Sequence, residues 1–337
     1  GSGGEGRGLH VWDRTSSSEL EVKGPLLVHG SPGNPLRRGG RRAYGRRVGS
    51  PWDDLAVRPV PGHDGRFTTV LSEPWQLAVV PQGGIVAGIA IKAMEAVLDE
   101  PAQALRTMTA MFAAPVAVGP VEIDVTLLRR GQTMSQLTAT VRNVGACAGL
   151  TAIAAFGAQR RGFEFTELAP PDVPGPEGVR SFRDPLPEGV DFEFDGDPFP
   201  FWDQILESRP VIGRPPWEPY VESPAEVAYW YRFDDPPLTP SGHLDVAGLV
   251  VMCDSMPGSV GQKIRAEDDQ RWFAPSVDLT VHLLGQAAPG FLLAHMNARH
   301  AGDGYASIDA ALWDPSGDEP RLVAYATQLC LFAFNAR

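Results

Sequence analysis

Two apolar helical segments, each accompanied by a series of short strands, constrain the fold of this chain more than any other feature. Residues 85–98 are rich in Ala, Ile and Met and carry apolar side chains at helical spacing, and residues 244–256 repeat this pattern. Each segment carries at most one charge over its central turns, Lys92 in the first. Helices that are apolar nearly all round must be covered on every side, so both are expected to lie inside the protein.

Strands are predicted on both sides of each helix from runs of apolar residues and from period-two alternation. In the first half they are residues 66–71, 105–112, 121–127, 137–142 and 148–156, and in the second half residues 201–207, 227–233, 276–284, 291–299, 306–313 and 322–332. The same order of elements returns at an offset of about 170 residues, which is too long for a solenoid and indicates a duplicated domain. A sheet of antiparallel strands curled around a long apolar helix is an α+β arrangement.

Composition divides the chain into four parts. Residues 1–64 are rich in Gly, Pro and Arg, and they bury too little apolar surface to offset the entropy of ordering, so they are predicted to form a mostly disordered basic arm. Residues 65–160 and 199–337 are predicted to form two domains. The Pro-, Gly- and acid-rich residues 161–198 are predicted to link them. The length of 337 residues agrees with two domains.

The charge and the cysteines exclude several classes of protein. A formal net charge of -12 disfavours nucleic acid and anionic membrane surfaces as partners. No apolar run reaches the roughly 18 residues of a membrane span. Three widely spaced cysteines match neither a disulfide framework nor a metal site, and no other cluster has ligand spacing. We therefore expect a cytoplasmic protein that has no metal or other cofactor.

Three short motifs carry a family resemblance. They are Gly83-Gly84 before the first helix, the strand from Thr107 to Pro115 that ends in Phe-Ala-Ala-Pro, and the hairpin Leu-Leu-Arg-Arg-Gly-Gln-Thr-Met-Ser at residues 127–135. Together with the second-half strands, they resemble the acyl-CoA thioesterase II family over residues 66–334. The resemblance implies two fused hotdog domains, a double hotdog, and a hydrolase of fatty acid metabolism that cleaves acyl-CoA into free fatty acid and CoA. Hotdog proteins usually associate through their sheets, which implies a homo-oligomer.

The resemblance also implies a catalytic group in the second half. The family uses an Asp on the second helix, a Thr at the start of the following strand and a Gln on the last strand. These positions correspond here to Asp254, Ser276 and Gln328. Serine at position 276 is a departure from the family pattern. It retains the hydroxyl, but its rotamer is less restricted than that of Thr.

The chemistry of the reaction supports the same residues. Thioester hydrolysis requires a positioned water, a group that directs its proton and donors aimed at the developing oxyanion. Asp254 interrupts an apolar helical segment, where a carboxylate requires hydrogen-bond donors, and Gln328 lies in an apolar strand with a donor for Asp254 and an acceptor for water. Gly83 and Gly84 are expected to let backbone N–H groups approach a thioester oxygen or a CoA phosphate.

Alternatives stay open for each of these residues. Asp254 lies at a helix end, where its carboxylate could equally face solvent. The glycine pair could equally form a tight turn that binds no ligand. Ser276, Thr280 and two further polar residues share one face of a strand. The hydroxyl that takes part in catalysis is therefore either that of Ser276 or that of Thr280.

The alternative function is a non-catalytic module that binds acyl-CoA or an acyl carrier on the same fold. A hotdog hydratase is disfavoured because no Gly-Asp-x-Asn-Pro-x-His-like stretch occurs, and a covalent serine hydrolase is disfavoured because the folded region lacks a G-x-S-x-G elbow.

Overall fold

The computed structural model describes residues 49–77, 80–191, 199–263 and 272–334. The first half contains β1 (Arg58–Pro59), β2 (Arg66–Leu71), α1 (Gly83–Leu98), β3 (Ala104–Phe112), β4 (Gly119–Arg129), β5 (Met134–Asn143) and β6 (Leu150–Gly157). The second half contains α2 (Pro200–Gln204), β7 (Leu206–Ile212), β8 (Glu226–Phe233), α3 (Val246–Cys253), β9 (Trp272–Phe273), β10 (Asp278–Leu283), β11 (Leu292–Gly302), β12 (Tyr305–Asp314), β13 (Arg321–Leu331) and β14 (Ala333–Phe334). Short 3-10 helices span Pro51–Leu55, Glu73–Trp75 and Met256–Gln262.

Within the described ranges, twelve strands form one antiparallel sheet in the order β1-β2-β4-β5-β6-β3-β10-β13-β12-β11-β8-β7. The two halves join edge to edge where β3 pairs with β10. Thr109 lies opposite Thr280 at this junction, and their hydroxyl oxygens are 2.9 Å apart. The predicted α+β arrangement is confirmed. Each half contributes six of the described strands of the sheet and one central apolar helix, which is α1 in the first half and α3 in the second.

Helices α1 and α3 pack against each other in antiparallel orientation at the centre of the core. Gly84, at the start of α1, faces the backbone of Val250 and Val251 near the end of α3, whereas Gly88 faces Ala247 near its start. Every residue from Ala247 to Cys253 is buried. The two helices therefore cover each other on the side that the sheet leaves open, as their apolar character requires.

The second helix ends at Cys253, three residues earlier than predicted. Proline lacks the N–H that would bond the carbonyl four residues before it, which is that of Cys253, and it disfavours helical backbone at the preceding residue. Pro257 therefore ends the α-helix, and the chain continues as the 3-10 helix Met256–Gln262. Asp254 is therefore the C-cap of α3: its N–H still donates to the carbonyl of Val250 at 3.2 Å, but its own backbone conformation is no longer helical.

The pattern predicts a strand over residues 201–207, but only the end of this segment is a strand. It begins in the five-residue helix α2, and β7 starts only at Leu206. Phe201 and Ile205 are both buried and stand four residues apart, so they lie on one face of a helical turn. Pro200 at the first helical position favours the turn further.

The prediction of a mostly disordered arm up to residue 64 is wrong for residues 51–59, and residues 1–48 lie outside the described part of the chain. Trp52 packs edge-on against Trp75 of the first half and Phe233 of the second half, each at 4.9 Å between ring centroids. Its indole N–H donates to the carbonyl of Asp235 at 2.6 Å. Trp52, together with the buried carboxylate of Asp54 that accepts hydrogen bonds from Ser72, thus anchors a segment whose composition is otherwise typical of disorder.

Residues 158–191 contain no helix or strand, and their part around Val173 packs on the outer face of the second half of the sheet, against Ala228 and Trp230. The indole N–H of Trp230 on β8 donates to the carbonyl of Pro174 at 2.9 Å, and Arg209 on β7 donates to that of Pro176 at 2.8 Å. The predicted domain boundaries stay a prediction. Among the described helices, none is both long and apolar enough to cross a membrane.

Candidate active site

Asp254 lies directly after the last residue of α3, and its carboxylate turns toward the N-terminus of α1. The backbone N–H of Gly84 donates to its Oδ2 atom at 2.8 Å. The first N–H groups of a helix have no partner within the helix and carry partial positive charge, so this position favours a negative group. The end of one central helix therefore places a carboxylate at the beginning of the other.

Ser276 and Gln328 meet Asp254 from the sheet. Gln328 is on β13 and only 2% exposed, and its Nε2 atom donates to Asp254 Oδ1 at 2.7 Å and to Ser276 Oγ at 2.8 Å. Ser276 precedes β10, and its hydroxyl donates to Asp254 Oδ1 at 3.3 Å. The three residues predicted from the family resemblance therefore form one hydrogen-bonded group, whose catalytic role stays a prediction.

The surroundings of Asp254 change its acidity. Burial raises the pKa of the Asp254 carboxyl to about 6, while the hydrogen bonds from Gln328, Ser276 and the first amides of α1 act in the opposite direction. No Lys or Arg within the described ranges forms an ion pair with this carboxylate. The group is thus partly protonated near pH 6 and ionised at neutral pH.

The group retains capacity to bind one more donor. A carboxylate has about four acceptor positions. The hydrogen bonds from Gly84, Ser276 and Gln328 occupy three of those on Asp254, and the amide of Gly83 also stabilises the charged carboxylate, more weakly than they do. The Oε1 atom of Gln328 is also buried and has no hydrogen-bond partner in the described part of the chain. A water that donates to Asp254 is therefore compatible with the contacts already made.

The other polar residues on the same strand face are engaged elsewhere. Thr280 bonds to Thr109 across the junction of the two halves, and Asp278 accepts the backbone N–H of Leu329 at 2.7 Å. His282 is exposed. Of the two candidate hydroxyls, it is therefore Ser276 that contacts Asp254.

The sequence predicts a thioester oxygen or a CoA phosphate at the N–H groups of Gly83 and Gly84, and in the structure both glycines contact Asp254. A Cβ atom on Gly83 would lie 2.7 Å from Cε1 of Phe112 and 2.8 Å from Asp254 Oδ2. The phenyl ring of Phe112, at the end of β3, therefore flanks the site. Phe112 was not predicted as a site residue, because an apolar residue at a strand end carries no local signal of function.

Gln82 is a second residue that the sequence analysis missed. It is 1% exposed, caps α1 by accepting the N–H of Ile85 at 3.0 Å, and donates to the carbonyls of Val251 and Asp254 at 2.9 and 3.1 Å. Glutamine is not among the residues strongly preferred at helix N-caps, so its position before the glycine pair gave only a weak signal.

The first half has no carboxylate at the equivalent place. When the first residues of α1 and α3 are aligned, Ile91 takes the position of Asp254. The nearby Lys92 pairs with Asp245, the N-cap of α3, at 2.5 Å and with Glu95 at 2.9 Å. The carboxylates at this end of the helix pair are thus neutralised by a cation, unlike Asp254.

Cys253, the residue before Asp254, is buried, and burial raises the pKa of its thiol well above the usual range. A thiol held in its neutral form is a poor nucleophile. The thiol of Cys253 is therefore not a candidate nucleophile.

Comparison with solved structures identifies the same architecture elsewhere. A conserved protein of unknown function with a hotdog fold from Alicyclobacillus acidocaldarius is 26% identical, with 85% of this chain and 99% of that chain covered and a TM-score of 0.66. An acyl-CoA thioesterase II from Mycobacterium marinum is 18% identical, with 85% and 98% covered and a TM-score of 0.64. At 18% identity, the similarity to the Mycobacterium marinum structure shows a shared fold and nothing further. The predicted double hotdog fold is confirmed.

Family comparisons match both halves of the chain. Residues 71–157 match the acyl-CoA thioesterase N-terminal domain, and residues 176–332 match the acyl-CoA thioesterase C-terminal domain. No curated protein sequence matches the chain significantly. Since the two domains occur in their family order and build one double hotdog, this chain belongs to the acyl-CoA thioesterase family.

Proposed function

We propose that the protein hydrolyses acyl-CoA thioesters to a free carboxylic acid and CoA, with water as the nucleophile and without a covalent acyl-enzyme. The hydrogen-bonded group of Asp254, Ser276 and Gln328 at the N-terminus of α1 carries this proposal. The acyl-CoA thioesterase domains in both halves support the class of substrate.

In this mechanism Asp254 acts first as a general base. A water donates a hydrogen bond to the carboxylate, and its oxygen attacks the thioester carbonyl while the carboxylate takes the proton. Because Asp254 becomes neutral when it takes the proton, the positive end of α1 then favours the negative charge that develops on the carbonyl oxygen. When the intermediate collapses, the C–S bond breaks and Asp254 returns the proton to the departing thiolate. Ser276 and Gln328 hold the carboxylate in place throughout.

We expect turnover to rise with pH through a midpoint near the Asp254 pKa of about 6, because only the ionised carboxylate accepts a proton. The measurement follows the loss of thioester absorbance for a series of acyl-CoAs of rising chain length, from acidic to mildly alkaline pH. A rate that is independent of pH across this midpoint would contradict the assigned base. Binding of acyl-CoA without any cleavage would identify the protein as a non-catalytic binding module.

Removing the donors to Asp254 is expected to slow turnover by different amounts. Gln328→Met keeps the side-chain size but loses the hydrogen bonds to Asp254 and Ser276. We expect kcat to fall roughly a hundredfold, because the bond to Asp254 is made to a group whose charge changes during the reaction. Ser276→Ala should cost less because its bond to Asp254 is longer, 3.3 Å against 2.7 Å. Ser276→Thr should retain activity, since it keeps the hydroxyl.

Thr280→Val is the matched control for the serine variant. It removes a hydroxyl from the same strand face, but that hydroxyl bonds to Thr109 and not to Asp254. Steady-state kinetics should therefore show unchanged kcat. A loss in Thr280→Val together with full activity in Ser276→Ala would assign the working hydroxyl to Thr280 instead.

A further inference from the structure

Gln82 uses its whole amide group to connect the two central helices. Its oxygen accepts the N–H of Ile85 in the first turn of α1, and its nitrogen donates to the carbonyls of Val251 and Asp254 at the end of α3. The side chain is 1% exposed, so water does not compete for these bonds. One side chain thus satisfies terminal backbone groups of both helices, which otherwise have no partners.

The contacts of Gln82 and Gly84 are complementary. Gln82 holds the backbone carbonyl of Asp254 at 3.1 Å, while the N–H of Gly84, two residues further, holds its carboxylate at 2.8 Å. Both contacts come from the same end of α1. They fix the main chain and the side chain of Asp254 independently, which leaves little freedom for the carboxylate to turn away from Ser276 and Gln328.

The opposite end of the helix pair shows what is special about glutamine here. Asp245, the N-cap of α3, also reaches the partner helix, but it does so through an ion pair with Lys92 at 2.5 Å. A charged link of this kind beside Asp254 would change the energy of its ionised form. The amide of Gln82 supplies donors and an acceptor without adding a charge next to the carboxylate.

We infer that Gln82 is a positioning residue, which holds Asp254 at the N-terminus of α1 in the geometry that water activation requires. This inference rests on the proposed hydrolysis. Gln82 acts through Asp254 and has no assigned contact with substrate. Without its link the end of α3 moves away from α1, the hydrogen bond from Gly84 lengthens, and the ionised carboxylate loses a stabilising donor.

Gln82→Asn separates this role from helix capping. Asparagine is a good N-cap, so the bond to Ile85 is retained, but its side chain is one methylene too short to reach α3. We expect kcat to fall roughly a hundredfold with little change in KM, as for misplacement of a reacting group by about 1 Å. The midpoint of the pH profile should move to higher pH, and it should move further in Gln82→Glu, which places a second carboxylate beside Asp254.

Gln103→Asn is the matched control. Gln103 is also buried, at 6% exposure, and donates to the carbonyl of Gly131 at 2.9 Å in a hairpin of the first half. Its variant should lose stability without any change in kcat or in the pH midpoint. A wild-type kcat and midpoint in Gln82→Asn overturn the inference, and so does an identical response of the two Asn variants. If Gln82→Asn does not fold, Gln82→Met, which keeps the side-chain length and adds no charge but makes none of these hydrogen bonds, is judged by the same criteria.

A measurement without substrate distinguishes failure of this inference from failure of the proposed hydrolysis. The carbon signal of the Asp254 carboxyl, followed by NMR against pH in wild type and in Gln82→Asn, reports its titration directly. A higher midpoint in the variant supports the positioning role even if no acyl-CoA is cleaved. An unchanged midpoint overturns it even if the wild type is an active thioesterase.

Discussion

Replacing Asp254 with Asn is expected to abolish turnover and, at neutral pH, to make the folded protein more stable. The amide accepts no proton from water, so kcat should fall by about a thousandfold or more, in the range of a lost general base. Release of free thiol from acyl-CoA measures this effect. Residual activity within tenfold of wild type would exclude Asp254 as the base.

The stability effect follows from the direction of the pKa shift. Burial raises the pKa of Asp254 to about 6, above its value of about 3.9 in an unfolded chain. A raised pKa means that the fold favours the protonated carboxyl. This stabilising contribution is complete below the unfolded pKa and is lost as the pH rises through 6. At neutral pH the ionised group therefore lowers the free energy of unfolding by up to roughly 3 kcal/mol.

The surrounding hydrogen bonds allow Asn to take the place of Asp. An oxygen at the Oδ2 position still accepts the N–H of Gly84. The new NH2 group at the Oδ1 position faces Gln328, whose amide can turn so that Oε1, which has no partner among the described residues, becomes the acceptor. The neutral side chain therefore keeps its contacts without the desolvation of a charge.

Urea unfolding of wild type and Asp254→Asn on both sides of pH 6 tests the sign of this effect. The variant should be more stable above pH 6, and the difference should shrink toward pH 4 as the wild-type carboxyl becomes protonated. Asp245→Asn is the matched control at the opposite end of α3. It removes the partner of Lys92, so it should lower stability at neutral pH while turnover continues. Lower stability of Asp254→Asn at every pH would refute the argument.

The elements that could be predicted from the sequence are those specified by local patterns. Both central helices and most strands follow from the period of their apolar residues, since each such residue is buried by its own element's orientation. The helix at residues 200–204 shows the limit. Phe201 and Ile205 fit a helical face as well as a short strand, and only the contacts of Phe201, including Trp75 at 6.2 Å, decide between them.

The candidate site depends on contacts that no local pattern contains. Asp254 bonds to residues 22, 74 and 170 positions away in the chain, which are Ser276, Gln328 and Gly84. The family resemblance implies the first two, whereas the sequence predicts a thioester oxygen or a CoA phosphate as the partner of the glycine pair. Gln82 could not be predicted as a site residue, because its importance arises only from the antiparallel packing of α1 on α3.

The close approach of these helices leads to the second large effect. Gly84→Ala is expected to destabilise the protein, since its Cβ would lie 2.7 Å from Val251 Cα and 2.9 Å from the Val250 carbonyl oxygen. Both are backbone atoms of α3, which cannot rotate away, so the helices must separate. Overpacking of this kind costs about 1–3 kcal/mol, and it acts against the gain of about 1 kcal/mol that Ala has over Gly within a helix.

Gly88→Ala, one turn further along α1, separates the clash from the change in helix propensity. Its Cβ would lie 3.2 Å from the side chains of Ala247 and Leu55, a contact that a shift of a few tenths of an ångström relieves. We expect nearly unchanged stability there, because the gain in propensity offsets the crowding. Chemical unfolding of both variants tests this order, and equal stability of the two would contradict it. Turnover should fall only in Gly84→Ala, because separation of the helices withdraws the Gly84 N–H from Asp254.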